Sequence, residues 1–390
     1  MLNIRFLFTV LMSPHREGVL ALATSMLRTG LIGFLATGKT TLFRLLTRTD
    51  ATNHTGRTGR GETSVGIAQV PDKRLDRLTE LFQPQKKVPA TIGFADSASR
   101  VATGTNHLLD VAPYREADAL LHVVRTFRDA HVAHPMGSID PTRDVRAMED
   151  ELILADLGVA ERRLERIERD LKKGAEKNMQ AEARLIRTCT EALSKGIPLR
   201  ALKLDPSAAK LLRGFQFLSA KPLLLVINVD ESEVTETANP DESVRHAGLT
   251  DILTGTSIRA VPVCAKIELE IAELEPDDAS MFMTDLGLEE TGLARVIRAA
   301  YELLGYISFF TIGKDECRAW SIPAGEVAHV AAGEIHTDIE RGFIRAEAVA
   351  YRQLIQRRSL SECRQHGEVR LEGKDYVVRD GDVINFRFAT

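Results

Sequence analysis

Short apolar runs punctuate the first two-thirds of the chain: residues 27–32, 91–95, 120–124, 223–227 and 261–264. Amphipathic stretches lie between them, and the apolar spacing of residues 73–82 predicts a helix there. Strands that alternate with helices imply an α/β fold with a mostly parallel sheet. The runs ending at 95, 124 and 227 are followed at once by Asp96, Arg125 and Asn228. In such sheets ligands bind at the carboxyl ends of the strands, so these three positions are candidates for chemistry.

Two stretches depart from this texture. Ile153, Leu157, Ala160, Leu164, Ile167 and Leu171 step by alternating fours and threes, a heptad seam beside the charged run R-R-L-E-R-I-E-R-D-L-K-K. Gly174 interrupts it, and a second apolar stripe with Leu185, Cys189 and Ala192 follows over about residues 177–195. The pattern predicts an antiparallel helical hairpin projecting from the sheet. Its basic face is either a contact for RNA or simply solvated. Residues 243–257 are weakly patterned and read as a connector of loop and helix. Beyond Tyr301 the chain becomes β-rich, with runs at 307–311, 318–322, 343–348 and 383–388 and a turn at Arg379-Asp380-Gly381-Asp382. These define a small α+β domain over 305–390.

Composition narrows the class. The chain has 390 residues, 44% apolar and 27% charged, enough for two or three domains with a sizeable core. Its net charge of −4 gives no global drive toward nucleic acid. Cys189, Cys264, Cys317 and Cys363 are far apart, without metal-ligand spacing, and are expected to be reduced thiols of a cytoplasmic protein. No apolar run reaches the ~18 residues that would span a bilayer. Residues 1–25 hold short apolar runs ahead of the first sheet strand and are expected to be a disordered or misassigned extension.

The most informative stretch is residues 33–40, G-F-L-A-T-G-K-T, a complete G-x-x-x-x-G-K-[ST] phosphate loop between a strand and a helix. Gly33, Phe34, Leu35, Ala36, Thr37, Gly38, Lys39, Thr40 and Thr41 are expected to cradle phosphate. Backbone N–H groups supply the cradle, and Lys39 reaches the β and γ oxygens. Thr40 and Asp96 are expected to hold Mg²⁺. Asn228, Val229 and Glu231 at one strand end, with Cys264, Ala265 and Lys266 at the next, suit contact with a nucleotide base, because an Asn amide offers both a donor and an acceptor.

These motifs, in this order, resemble the YchF subfamily of Obg-like ATPases over about residues 27–390. The resemblance extends to residues 69–75 (Q-V-P-D-K-R-L), 122–125 (H-V-V-R), 151–157 (E-L-I-L-A-D-L) and 264–268 (C-A-K-I-E). It is closest at 333–338 (G-E-I-H-T-D), 342–347 (G-F-I-R-A-E) and 373–388. The resemblance implies a P-loop NTPase G-domain over 26–142 and 221–304, a coiled-coil hairpin insertion over 143–220, and a TGS-like β-grasp domain over 305–390. It further implies ATP in preference to GTP and association with the ribosome or its RNA, for which the hairpin and the terminal domain are the expected contacts; Mg²⁺ is the expected cofactor, the chain is expected to be a monomer, and altered switch segments are expected to make hydrolysis slow. N-x-x-E at 228–231 matches the family and differs from the N-K-x-D that reads guanine. His134 aligns with a histidine that the family uses in hydrolysis. Both switch segments depart from the family pattern: Ser99 stands where D-x-x-G has Gly, Arg100 replaces an apolar residue, and Arg60 stands where a Thr would reach Mg²⁺, with Thr58 and Thr63 nearest. Arg100 is therefore a candidate cation for transition-state charge. The altered switches also support a different function class, a hydrolysis-deficient binding module. A small-molecule kinase is a third reading, for which no acceptor site is legible.

Overall fold

The computed structural model describes residues 28–48, 63–97, 111–172 and 177–389. The expectations for residues 1–25, Arg60, Ser99 and Arg100 lie outside the described residues.

Six strands form the first sheet: β1 (Arg28–Ile32), β2 (Thr63–Gln69), β4 (Thr91–Ser97), β5 (Ala119–Arg125), β6 (Leu223–Asn228) and β7 (Arg259–Val263), in the order β2-β4-β1-β5-β6-β7. All neighbours are parallel except β2, which runs antiparallel to β4 at the edge. The apolar runs coincide with these strands to within two residues, β2 excepted; Leu27 lies outside the described residues and Cys264 falls just beyond β7. Strand alternation sends Leu121, Val123, Leu224 and Val226 to one face and Leu120, Val124, Leu223 and Leu225 to the other. Helices α1 (Lys39–Thr47) and α6 (Gly292–Leu303) cover the first face through Leu42, Leu46, Val296 and Ala300. Helix α3 (Pro141–Leu171) covers the second through Val145, Met148 and Leu152. The register aligns Leu31 with Asp96 and Arg125 with Asn228, so the polar strand ends share one edge.

Helix α3 runs past the sheet, and α4 (Lys177–Ser194) packs back along it. Ile153, Ala160, Ile167, Ala183, Ile186 and Cys189 form their seam, with Arg163–Glu182 (2.6 Å) and Arg187–Glu168 (2.9 Å) pairs alongside. The root of this hairpin is pinned by Asp156, which is fully buried. Its carboxylate accepts from Leu218 N (3.0 Å), Ser219 N (2.7 Å) and Arg115 Nη1 (3.2 Å). Burial with the Asp156 charge nearby pushes the Cys189 thiol up to about 11, so this cysteine is an inert seam filler.

The second sheet has the order β11-β10-β12-β8-β9-β3, from β8 (Tyr306–Ile312), β9 (Glu316–Pro323), β10 (Phe343–Ala350), β11 (Arg370–Glu372) and β12 (Asp382–Phe388), with β3 (Lys86–Val88) at its edge. Strands β8 and β12 pair in parallel between two antiparallel pairings, β8 with β9 and β12 with β10, and α7 (Ala328–Ile335) packs on one face: a β-grasp arrangement. Strand β3 comes from the amino-terminal half and pairs in parallel with β9. One apolar cluster runs across both sheets, from Leu75 and Phe94 to Phe310 and Val383. Arg74 of α2 (Lys73–Phe82) joins them further. It bridges Asp72 and Asp380 and lies over the Phe310 ring at 5.2 Å.

Candidate functional site

The loop after β1 turns tightly around residues 33–38. A Cβ at Gly33 would come within 2.9 Å of Val123 O, and Gly38 adopts φ +87° with Asn228 Nδ2 where its Cβ would stand. Only glycine fits both positions without displacing a backbone or a buried amide. Ala36 lies in the left-handed region at φ 63°, a conformation that strains an L side chain by about 1 kcal/mol. Thr37 Oγ1 donates to Phe34 O at 3.1 Å, and Phe34 is buried against the core. Leu35 and Thr40 face solvent, and Thr41 is half-buried.

Beneath the loop, Lys39 is only 5% exposed. Its Nζ pairs with Asp96 Oδ1 and donates to Ser97 O at 2.8 Å, while Thr40 Oγ1 donates to Asp96 Oδ2 at 3.2 Å. Lys39, Thr40 and Asp96 are thus brought together, as their motif placement requires. Lys39 is also half of a buried ion pair, a contact that its motif role does not call for.

Asn228 is 3% exposed and both ends of its amide are engaged. Nδ2 donates to Thr37 O (3.0 Å) and Oδ1 accepts from Ala265 N (3.0 Å). The side chain therefore braces the phosphate loop against the turn that opens α5 (Ala265–Glu273). Val229 and Cys264 are buried, and Val229 N bonds Val263 O at 2.9 Å. Glu231 and Lys266 form an exposed ion pair beside this turn, and the hydrogen bond that Lys266 donates to Glu231 raises the Lys266 pKa. Behind them Glu268 caps α6 by accepting from Gly292 N at 2.5 Å, and burial pushes its carboxyl upward.

Arg125 is a site residue that the motifs did not assign. It is 1% exposed at the carboxyl end of β5, stacks on Phe127 at 4.4 Å, and donates to Phe127 O (3.1 Å) and Ala36 O (3.3 Å). It holds the strained turn of the loop from below. Its signals in the sequence were its place closing an apolar strand and the H-V-V-R segment at 122–125. His134 lies further along the same connection, with its side chain 2% exposed and turned toward α3.

Whether the residues fit a nucleotide and Mg²⁺ can be judged from this geometry. The glycine cradle and the Thr40 hydroxyl beside the Asp96 carboxylate suit a phosphate chain with a hard cation. Among the described residues no group of three or more His, Cys, Asp or Glu side chains could hold a metal by itself.

A phosphate loop following the first parallel strand, with a carboxylate and a bracing amide at neighbouring strand ends, defines a P-loop G-domain. The comparisons resolve it further. The YchF-GTPase_C family model, described as "Protein of unknown function (DUF933)", matches residues 306–389. The chain is 40% identical over 369 residues to the ribosome-binding ATPase YchF of Bacillus subtilis (strain 168), covering 93% of this chain and 99% of that protein. It is 38% identical over 368 residues to the same-named protein of Escherichia coli O157:H7, covering 92% and 98%. The solved Schizosaccharomyces pombe YchF GTPase aligns with a TM-score of 0.78 at 26% identity, covering 93% of this chain and 97% of that one. The chain belongs to the YchF family.

Proposed function

We propose that this protein is a ribosome-associated P-loop ATPase that binds ATP with Mg²⁺ and hydrolyses it slowly. One observation carries the reading: Lys39 Nζ and Thr40 Oγ1 converge on the Asp96 carboxylate directly under the glycine loop. In the bound state the nucleotide phosphates replace Asp96 as the partner of Lys39. Asp96 and Thr40 would hold Mg²⁺, which would neutralise phosphate charge. Lys39 fixes the β and γ oxygens, and Arg125 and Asn228 keep the loop in shape. The names of the relatives support the ribosome as partner, with the hairpin at 143–220 and the terminal domain at 305–390 as the contact elements and the nucleotide chemistry in 26–142 and 221–304. Preference for ATP rests on N-x-x-E at 228–231, where Glu231, paired with the exposed Lys266, stands in the place of the Asp that reads guanine.

A second reading, a nucleotide-binding module without turnover, is favoured by the burial of His134. One experiment separates them. ATP and GTP affinities and single-turnover hydrolysis are measured for wild type and for Lys39→Ala with its fold verified by circular dichroism. We expect ATP to bind at least tenfold tighter than GTP and to turn over below about 1 s⁻¹, the low end of ordinary enzymes. Lys39→Ala is expected to weaken ATP at least a hundredfold, ~2.7 kcal/mol. Unchanged affinity in the folded variant defeats the site assignment. ATP binding without Mg²⁺-dependent turnover leaves the binding-module reading.

A further inference from the structure

Arg125 closes β5 where the sheet meets the phosphate loop. Ile32 pairs with His122, and the loop leaves β1 at Gly33, close against Val123 O. The residue after Arg125 is fixed, since Thr126 N and Oγ1 both donate to Asn228 O at 3.0 Å. The Arg125 guanidinium donates to Phe127 O, to Ala36 O within the loop at 3.3 Å, and more distantly to Asp129 O at 3.5 Å.

All three acceptors are neutral carbonyls. Among the described residues no carboxylate lies within ion-pair distance of this side chain. The acids of this edge are engaged elsewhere: Asp96 with Lys39 and Thr40, Asp129 with His131 N, and Asp230 with Arg128 N and Ser232 N. Other buried cations have a counter-ion, Lys39 in Asp96 and Arg200 in Glu149. Arginine keeps its charge on burial, and a buried charge without a partner is costly. The Phe127 ring offsets only part of that cost.

Bracing the loop does not call for a charge. At the next peptide Asn228 holds Thr37 O with a neutral amide. What the charge adds follows from peptide geometry. The Ala36–Thr37 peptide is trans, so its N–H points opposite to its C=O. With Ala36 O turned to Arg125, the Thr37 N–H is turned away from it. A cation on the carbonyl also polarises the peptide and strengthens that N–H as a donor.

We infer that Arg125 is a positioning residue that lends its charge to the phosphate site: it orients and polarises the Ala36–Thr37 peptide, and the polyphosphate of the nucleotide is the counter-ion it lacks. The inference rests on the reading of residues 33–40 as a phosphate loop. Without nucleotide, Lys39 and Asp96 neutralise each other and Arg125 is left over. A polyphosphate brings several negative charges, more than Lys39 alone balances. Arg125 acts on them from inside the protein, where a charge is felt strongly and salt screens it little.

The test compares wild type with Arg125→Lys, Arg125→Gln and Arg125→Met in the full chain, each with its fold verified by circular dichroism. Affinities for ATP, ADP and inorganic pyrophosphate are measured by calorimetry at about 0.1 M and 0.5 M KCl, with urea midpoints taken without ligand. Arg125→Met and Arg125→Gln are expected to weaken ATP about thirtyfold or more, and Arg125→Lys by no more than about fivefold. Pyrophosphate should lose affinity in the same order, ADP should lose less than ATP, and the ratio of wild type to Arg125→Met should be the same at both salt concentrations. The ligand-free midpoint of Arg125→Met should be no lower than that of wild type, because an unpaired charge has been removed. Should Arg125→Met fail to fold, Arg125→Gln and Arg125→Lys decide. Near wild-type affinity in Arg125→Gln, or Arg125→Lys as weak as Arg125→Met, overturns the role of the charge and leaves Arg125 a brace. A ligand-free midpoint of Arg125→Met well below wild type shows the charge already neutralised and overturns it too. Absence of ATP binding in wild type, or unchanged affinity in Lys39→Ala, defeats the phosphate-loop reading and this inference with it.

Discussion

Asn228→Ala distinguishes a brace from a base reader. The side chain is 3% exposed and satisfies two buried backbone groups, Thr37 O and Ala265 N, each at 3.0 Å. Truncation leaves both without a partner, at about 1–3 kcal/mol each. Partial relaxation and water reduce the sum, so the expected loss is ~2–4 kcal/mol, against a total of 5–15 for a typical domain. The loss must appear without nucleotide, because both bonds are present without one. Asn228→Asp is expected to cost at least as much, since a carboxylate oxygen would then face the Thr37 carbonyl. The assay is urea denaturation followed by circular dichroism, paired with titration of a fluorescent ATP analogue. Loosening of the loop is expected to weaken ATP about tenfold, equivalent to ~1.4 kcal/mol. A change in nucleotide-free stability below about 0.5 kcal/mol, the scale of ordinary surface substitutions, together with lost ATP binding, would refute the brace and return Asn228 to base contact alone.

Two further outcomes are expected. Asp156→Ala orphans Leu218 N and Ser219 N at the hairpin root and should lower the urea-unfolding free energy by ~2–4 kcal/mol; a fall under ~1 kcal/mol would show that apolar packing alone holds the hairpin. His122 is buried on β5, and desolvation pushes its pKa from 6.5 down to about 3. Since the unfolded chain takes up this proton first, His122 costs nothing above pH 6.5, and stability falls as the pH drops from there toward 3, by at most ~1.4 kcal/mol per pH unit. His122→Leu should remove one proton's worth of that slope in urea melts between pH 7 and pH 5, and an unaltered slope would contradict the buried neutral imidazole.

The phosphate loop, the parallel strands and the hairpin were legible in the linear chain because each is written in contiguous residues or in a short period. Glycine at 33 and 38 and Lys39 state their chemistry locally, and an apolar run of five residues needs little context to be a buried strand. Strand β2 escaped notice because T-S-V-G-I-A-Q carries a glycine and weak alternation; its pairing with β4 makes it a strand. Strand β3 is three residues, K-K-V, ordered by Glu316–Arg318 more than two hundred positions away. The terminal domain was readable as a β-rich unit, but its core shared with the first sheet was not, since Arg74 and Asp380 meet only in the fold. The sequence by itself determined the class of protein, the loop and the identity of the groups at the strand ends. Tertiary structure alone decided what those groups do for one another: Lys39 against Asp96, Arg125 under Ala36, Asn228 between Thr37 and Ala265. Each of these depends on sheet register and on burial. Burial makes an unmade polar contact costly, so the fold, not the motif, selects the partner.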